Sequence, residues 1–251
     1  MLMLSHAHEV SRRDLSAIPT PDPTDTWRPV AHADVVDTLT ERAAARGLTI
    51  KSERYAVLNG TMYPRPGMAV ELRGAKLFGT MDFASIPGMP FPAGCTPSAG
   101  IRNSHDKSFA LSILSGARVF VCANGVLSAE HIVARKHTSG MDLPHAIDLA
   151  LDAFMQSIRA FNATYERLRA WQLRRTTAHS LIVELARAGA FSSSDIVPVV
   201  EEFEQPRHLE FVERNAWSLY QSATEIMKHQ SPARQVDGFH ALNKVLVAAV
   251  S

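Results

Sequence analysis

Two cysteines in 251 residues, four tyrosines, three tryptophans and a net charge of only +1 define what this chain has little of. Cys95 and Cys122 form no C-x-x-C pair, so neither a disulfide framework nor a cysteine-rich zinc site is expected, and Cys122 reads as a small apolar strand residue. A near-zero net charge argues against a surface coated with lysine for polyanion binding. No apolar run approaches the roughly 20 residues of a membrane helix; VFVCA and VLVAAV are the longest. The amino terminus shows no basic region followed by an apolar core. A cytoplasmic protein without a membrane partner is the expectation. P-loop, dinucleotide and G-x-S-x-G signatures are missing too, which leaves nucleotide-driven chemistry and an elbow-mounted serine unsupported, and no cofactor is expected.

What is present is an ordinary globular balance, 46% hydrophobic and 20% charged residues. Charge is unevenly distributed: residues 102–187 hold eleven Lys/Arg against seven Asp/Glu, whereas 195–213 hold six acids and one arginine. A basic middle beside an acidic stretch fits a surface that meets a polyanion on one side.

Along the chain, residues 1–28 carry the proline-rich SAIPTPDPTDTW and predict a mobile arm, and residues 29–251 predict one domain. Within it, 29–140 read as a helix plus a sheet and 141–251 as a helical part. HADVVDTLTERAAARG has Val35, Val36, Leu39 and Ala43 at helical spacing, with Gly47 placed to end the helix. LTIKSERYAVLNG alternates as a strand closing at an Asn59-Gly60 turn, and MAVELRGAKLFGTMDFA repeats the pattern. SIPGMPFPAGCTPSAG has too many prolines and glycines for a regular element and reads as a long loop. The clearest element is helical: Asp142 as cap, Pro144 in the first turn, then Ile147, Leu151, Phe154, Ile158, Phe161, Tyr165 and Leu168 along one seam of about 30 residues. Its Tyr165–Arg175 end is expected near Trp217 and Tyr220, and its Asp142 end on the sheet near Cys122. Shorter helices follow in SLIVELARAG, DIVPVVEEFEQ, FVERNAWSLYQSATEIMKH and near the C-terminus. The predicted fold class is α+β: a mainly antiparallel sheet of four or five strands, preceded by a short helix and covered by a C-terminal helical layer.

The chemically densest stretch is RNSHDKSFALSILSGARVFVCANG, in which Arg102, Asn103, Ser104, His105 and Asp106 stand in succession. SFALSILSGARVFVCANG reads as two strands, 109–114 and 118–123, joined at Ser115-Gly116 and closed by an Asn124-Gly125 turn, with RNSHD at the entrance of the first. The alternative is a short helix beginning near Asp106, capped by Asn103 or Ser104.

This stretch, followed by ARKHT, and the later NAWSLYQSATEIMKH resemble two motifs of the phage/plasmid-like protein family catalogued as domain of unknown function 932. Asn103, Ser104, Asp106, Cys122, Asn124, Gly125, Trp217, Leu219, Tyr220, Thr224 and Glu225 stand at the family's motif positions, and the resemblance covers roughly residues 28–248. It implies a role in mobile-element DNA metabolism and carries no established activity. The order of helix, antiparallel strands and long helix also looks like that of the single-strand annealing proteins of phage recombination, a likeness of fold alone.

Three functions follow as expectations. In the first, the protein binds single-stranded or partly duplex DNA, with single-strand annealing in recombination as a homo-oligomer. Arg102, Asn103, Lys107, Arg118, Asn124, Arg135 and Lys136 would contact the nucleic acid. Tyr55, Tyr63, Phe78 and Phe83 would be stacking platforms if they do not face the core. In the second, a metal-dependent, nuclease-like enzyme uses Ser104, His105 and Asp106 as catalytic candidates, with His131, His137 and Glu130 as further ligands, although nothing in the spacing selects a metal set. Adjacent His105 and Asp106 point to opposite faces of a strand, so they cannot pair directly there. In the third, the chain is a protein-binding inhibitor of host defence. Against all three stands the plain reading that Asn103, Ser104 and Asp106 satisfy backbone groups where a loop meets a sheet.

Overall fold

The computed structural model describes residues 7–65, 67–89, 91, 95–119, 124–126, 131–135, 141–228, 230 and 232–250; beyond Leu114 in the sheet it is the backbone that is described. Seven strands form one antiparallel sheet: β1 (His8–Val10), β2 (Thr49–Arg65), β3 (Met68–Ser85), β4 (Cys95–Ser104), β5 (Leu111–Val119), β6 (Asn124–Val126) and β7 (His131–Arg135). They neighbour one another in sequence order, and β7 also pairs with β5. Strands β2 to β5 and β7 make the body; β1 and β6 have three residues each. Among the described residues seven α-helices accompany it: α1 (Arg12–Leu15), α2 (His32–Ala45), α3 (Leu143–Ala170), α4 (Arg175–Arg187), α5 (Ile196–Glu204), α6 (Ala216–Met227) and α7 (Pro232–Leu242). The fold class is α+β, in the order read from the sequence.

Period-two alternation selects the face that the helices cover. Tyr55, Val57, Leu77, Met81, Phe83, Ala99, Ile101, Leu111 and Ile113 are buried in one apolar cluster with Val35, Val36 and Leu39 of α2 and Ile147, Leu151, Phe154 and Ile158 of α3. The predicted α2 holds, and Gly47 ends it in the left-handed region at φ 72°. In α3 the Asp142 carboxylate accepts from the His145 N–H at 3.1 Å, and the helix runs 28 residues. At 1.5 Å per residue that exceeds the sheet's width, so its second half needs another partner. The C-terminal helices supply it: Tyr165 and Leu168 belong to a second cluster with Trp217, Leu219 and Tyr220. The Tyr165 and Trp217 rings meet edge to face at 4.9 Å, as the seam had suggested. Cys122 lies outside the described residues. No helix among the described residues is long and apolar enough to cross a membrane.

Several local expectations are corrected. Residues 109–123 are not a hairpin turning at Ser115-Gly116: β5 runs through both, because β4 pairs alongside without interruption, Ala99 with Ser115 and Ser98 with Gly116. A Ser-Gly pair turns a chain only where no neighbouring strand holds it extended. Asn124 and Gly125 likewise stand in β6, opposite Val119 and Arg118. The Asn59-Gly60 turn is a bulge inside β2 instead; Asn59 Oδ1 accepts from the Gly74 N–H at 2.9 Å, and the chain reverses near Gly67, at φ 80°. The last six residues of the expected loop, from Cys95 onward, belong to β4 despite Pro97. Pairing with β3 begins only at Ser98, so Pro97 stands where that side of β4 has no ladder to break. The arm is docked rather than mobile from His8 onward: β1 pairs with β2, and Leu15 and Trp27 are buried.

Candidate functional site

RNSHD stands at the exit of β4, not at the entrance of a strand. Arg102, Asn103 and Ser104 are its last residues, and 105–110 turn the chain into β5. Alternation sends Asn103 to the helix-covered face, where its side chain is fully buried. Its Nδ2 donates to the Val30 carbonyl at 2.8 Å and to His32 Nδ1 at 2.9 Å. The second bond requires His32 Nδ1 to be an acceptor, and His32 Nε2 accordingly donates to the Gly74 carbonyl at 2.9 Å. His105 lies parallel on His32, with ring centroids 3.9 Å apart, and its Nε2 donates to the same Val30 carbonyl at 2.9 Å. Burial holds the His105 imidazole below its ordinary pKa, against the favourable Val30 bond and the nearby Asp106 charge.

The other two candidates are also engaged. Ser104 Oγ donates to the Phe109 carbonyl at 2.7 Å and accepts from the Phe109 N–H at 3.2 Å, which closes the turn. Asp106 Oδ1 accepts from the Ser108 N–H and hydroxyl, while Oδ2 lies 3.3 Å from Lys76 Nζ. Thus Ser104, His105 and Asp106 are adjacent in sequence but each faces a different partner, and no nucleophile, base and orienting carboxylate align among them. Among the described residues no three His, Cys, Asp or Glu side chains stand close enough to hold a metal ion. His137 and Glu130 lie outside the described residues, as does the His131 side chain.

The nucleic-acid candidates separate in the same way. Asn103 is fully buried with its Nδ2 held by Val30 and His32, whereas Arg102, one residue earlier, faces the opposite side of the sheet. There the row Ala56, Phe78, Arg102 and Ser112 crosses β2 to β5, beside a second row of Arg54, Thr80, Gly100 and Leu114. The Arg102 guanidinium lies 5.4 Å from the Phe109 ring centre, and Phe109 is 5.5 Å from Phe78. No carboxylate neutralises Arg102 among the described residues, its Nε has no hydrogen-bond partner, and desolvation alone lowers its pKa. Lys107, at φ 64°, points its ammonium over the Trp27 ring at 4.7 Å. Arg118 stands six residues along β5 from Ser112, about 20 Å away at strand rise, and Arg135 is paired with Leu111 at the near end of β7. The side chains of Arg118, Asn124 and Arg135, and the whole of Lys136, lie outside the described residues. Of the stacking candidates, Tyr55 and Phe83 are core residues, Tyr63 is exposed near the β2–β3 turn, and Phe78 is half-buried on the sheet face opposite the core. Phe109 was missed: it follows a run of polar turn residues and shows no periodicity of its own.

Residues 96–247 match the model of the family described as Domain of unknown function (DUF932). The match spans more than half of the chain, which therefore belongs to that family. No curated protein and no solved structure matches it. Both sequence stretches that carried the resemblance lie inside the matched region, and α6, which holds the second, packs against β6 in the first.

Proposed function

We propose that this DUF932 protein is a cytoplasmic nucleic-acid-binding protein that takes single-stranded DNA across the face of its sheet opposite the apolar core. The observation that carries the reading is the Arg102 guanidinium, half-buried against Phe109, beside Phe78 and without a carboxylate partner among the described residues. An aromatic pair next to an unneutralised planar cation suits an unstacked base and its phosphate, since every base has a face to stack and Arg binds phosphate through two N–H groups. Duplex DNA hides those base faces, so single strands are favoured. Lys76 and Arg54, which border the platform, are already paired with Asp106 and Glu9, so stacking rather than charge supplies most of the attraction. Annealing by a homo-oligomer in mobile-element recombination is the finer form of the proposal.

Fluorescence anisotropy with labelled single-stranded, duplex and RNA oligonucleotides tests it. Single strands should bind at about 50 mM salt with a shallow log-log salt slope, about −0.7 per phosphate neutralised, and Arg102→Ala should make the slope shallower still. Absence of binding to any single strand at that salt would overturn the reading.

A further inference from the structure

We propose that His105 is a pH-sensitive latch which holds the segment 19–30 across the turn after β4, and that its protonation lets this strap go and frees Lys107. The consequence for ligand binding rests on the sheet-face reading above; the latch itself does not.

The strap contains Pro19, Pro21, Pro23 and Pro29 and forms no helix or strand. Its internal backbone bonds are the two between Thr24 and Trp27, so contacts with the rest of the molecule hold it: Val30 packs against the core cluster, and the polar contacts converge on RNSHD. The Val30 carbonyl accepts from both Asn103 and His105, the Pro19 carbonyl also lies against the His105 ring, and Trp27 is covered by Lys107. His105 is 1% exposed, and its Nδ1 has no hydrogen-bond partner among the described residues. A neutral ring fits this site. A second proton would place a cation face to face with His32 in a space closed to water.

The charged and titratable groups around the ring are few. From α2 comes His32; from the turn, Asp106, held by Lys76 of β3; the strap offers carbonyls. Burial opposes the imidazolium more strongly than the Val30 carbonyl, the Asp106 charge and the Pro19 carbonyl favour it, so the docked ring binds its proton less readily than a ring in water, whose ordinary pKa is 6.5. The direction follows. Docking requires neutral His105, while release exposes a ring that protonates normally, so the stability of the docked strap is fully present above pH 6.5 and is lost as the pH falls below it. Between pH 7.5 and 5.5 the open fraction should rise, by at most about tenfold. Opening would remove Trp27 from Lys107 and set an ammonium and an imidazolium free beside Phe109 and Arg102.

Hydrogen-exchange mass spectrometry of the full chain without ligand, corrected for intrinsic rates, reads the latch. Strap peptides should lose protection between pH 7.5 and 5.5, by up to about tenfold, while α6 peptides keep theirs. In His105→Gln, which retains an N–H donor for Val30 but has no proton to gain, strap protection should not depend on pH in this window. If that variant does not fold, the carbon-13 shift of the wild-type His105 ring reports its titration, which should fall below 6.5 and accompany strap opening. Strap protection that ignores pH, or that changes equally in His105→Gln, would overturn the latch. Single-strand affinity of wild type and Lys107→Ala at the two pH values keeps the readings apart. An acid-opened strap without DNA binding defeats the sheet-face reading and leaves the latch standing. DNA binding with a pH-insensitive strap does the reverse.

Discussion

Gly60 of β2 and Asp106 of the turn are in such close approach that a β-carbon on Gly60 would collide with the Asp106 carboxylate and lie 2.9 Å from the Ala75 side chain. The glycine's backbone is not in the left-handed region; it is required by what rests on it. It seats the turn that carries Asp106, Lys107 and Phe109. Gly60→Ala should therefore cost about 1–3 kcal/mol by overpacking, seen as a lower urea midpoint. A variant as stable as wild type would mean that the turn can move aside.

Asn103 should matter for stability rather than for ligand contact. Asn103→Ala leaves His32 Nδ1 without its donor and weakens the hold on Val30, at about 1–3 kcal/mol. Asn103→Asp, which puts a carboxylate acceptor where a donor faces two acceptors, should lose more. Denaturant unfolding orders the two, and the reverse order would contradict the assigned hydrogen bonds.

Phe78→Ala and Phe109→Ala should each weaken single-strand binding by about 1–3 kcal/mol and leave the urea midpoint almost unchanged. Tyr63→Ala, which removes an aromatic ring 68% exposed and away from the platform, should have no effect on affinity. Equal losses in all three would dissociate binding from the platform.

Phe154 lies at the centre of the α3 seam, fully buried and 5.3 Å from the Phe83 ring. Phe154→Ala should cost about 3–5 kcal/mol and sharply reduce soluble yield. Tyr220→Phe, which loses only the bond from its hydroxyl to Asn243 Oδ1, should cost about 0.5–1.5 kcal/mol. Thermal unfolding of the pair tests whether packing outweighs that buried bond.

The fold class and the long helix were legible because their signals are local. A cap at Asp142, Pro144 and a seam of period 3.6 act within one element, and the alternation in β2 and β3 needs only the pleat. The meeting of Tyr165 with Trp217 was anticipated from the length of the seam, although β2 and β3, at 17 and 18 residues, are longer than the ordinary strands that argument assumes. Other features were decided by neighbours distant in sequence. Ser115-Gly116 and Asn59-Gly60 carry turn chemistry, yet β4 holds the first pair extended, and the Asp106 turn packs onto Gly60.

The same division runs through the site. That RNSHD is chemically dense was evident from its composition, whereas the strand alternation invoked to separate His105 from Asp106 does not apply, because both stand in the turn after β4. Which of its side chains would be free was not evident, because that depends on the strap, some 75 residues earlier, whose Val30 carbonyl takes up both Asn103 and His105. Sequence by itself determined the elements, their order and the polar character of the turn. Tertiary structure alone decided that Asn103 and His105 turn inward to hold a strap while Arg102 turns outward onto Phe109, because partners for buried polar groups are chosen by proximity in space, on which spacing along the chain is silent.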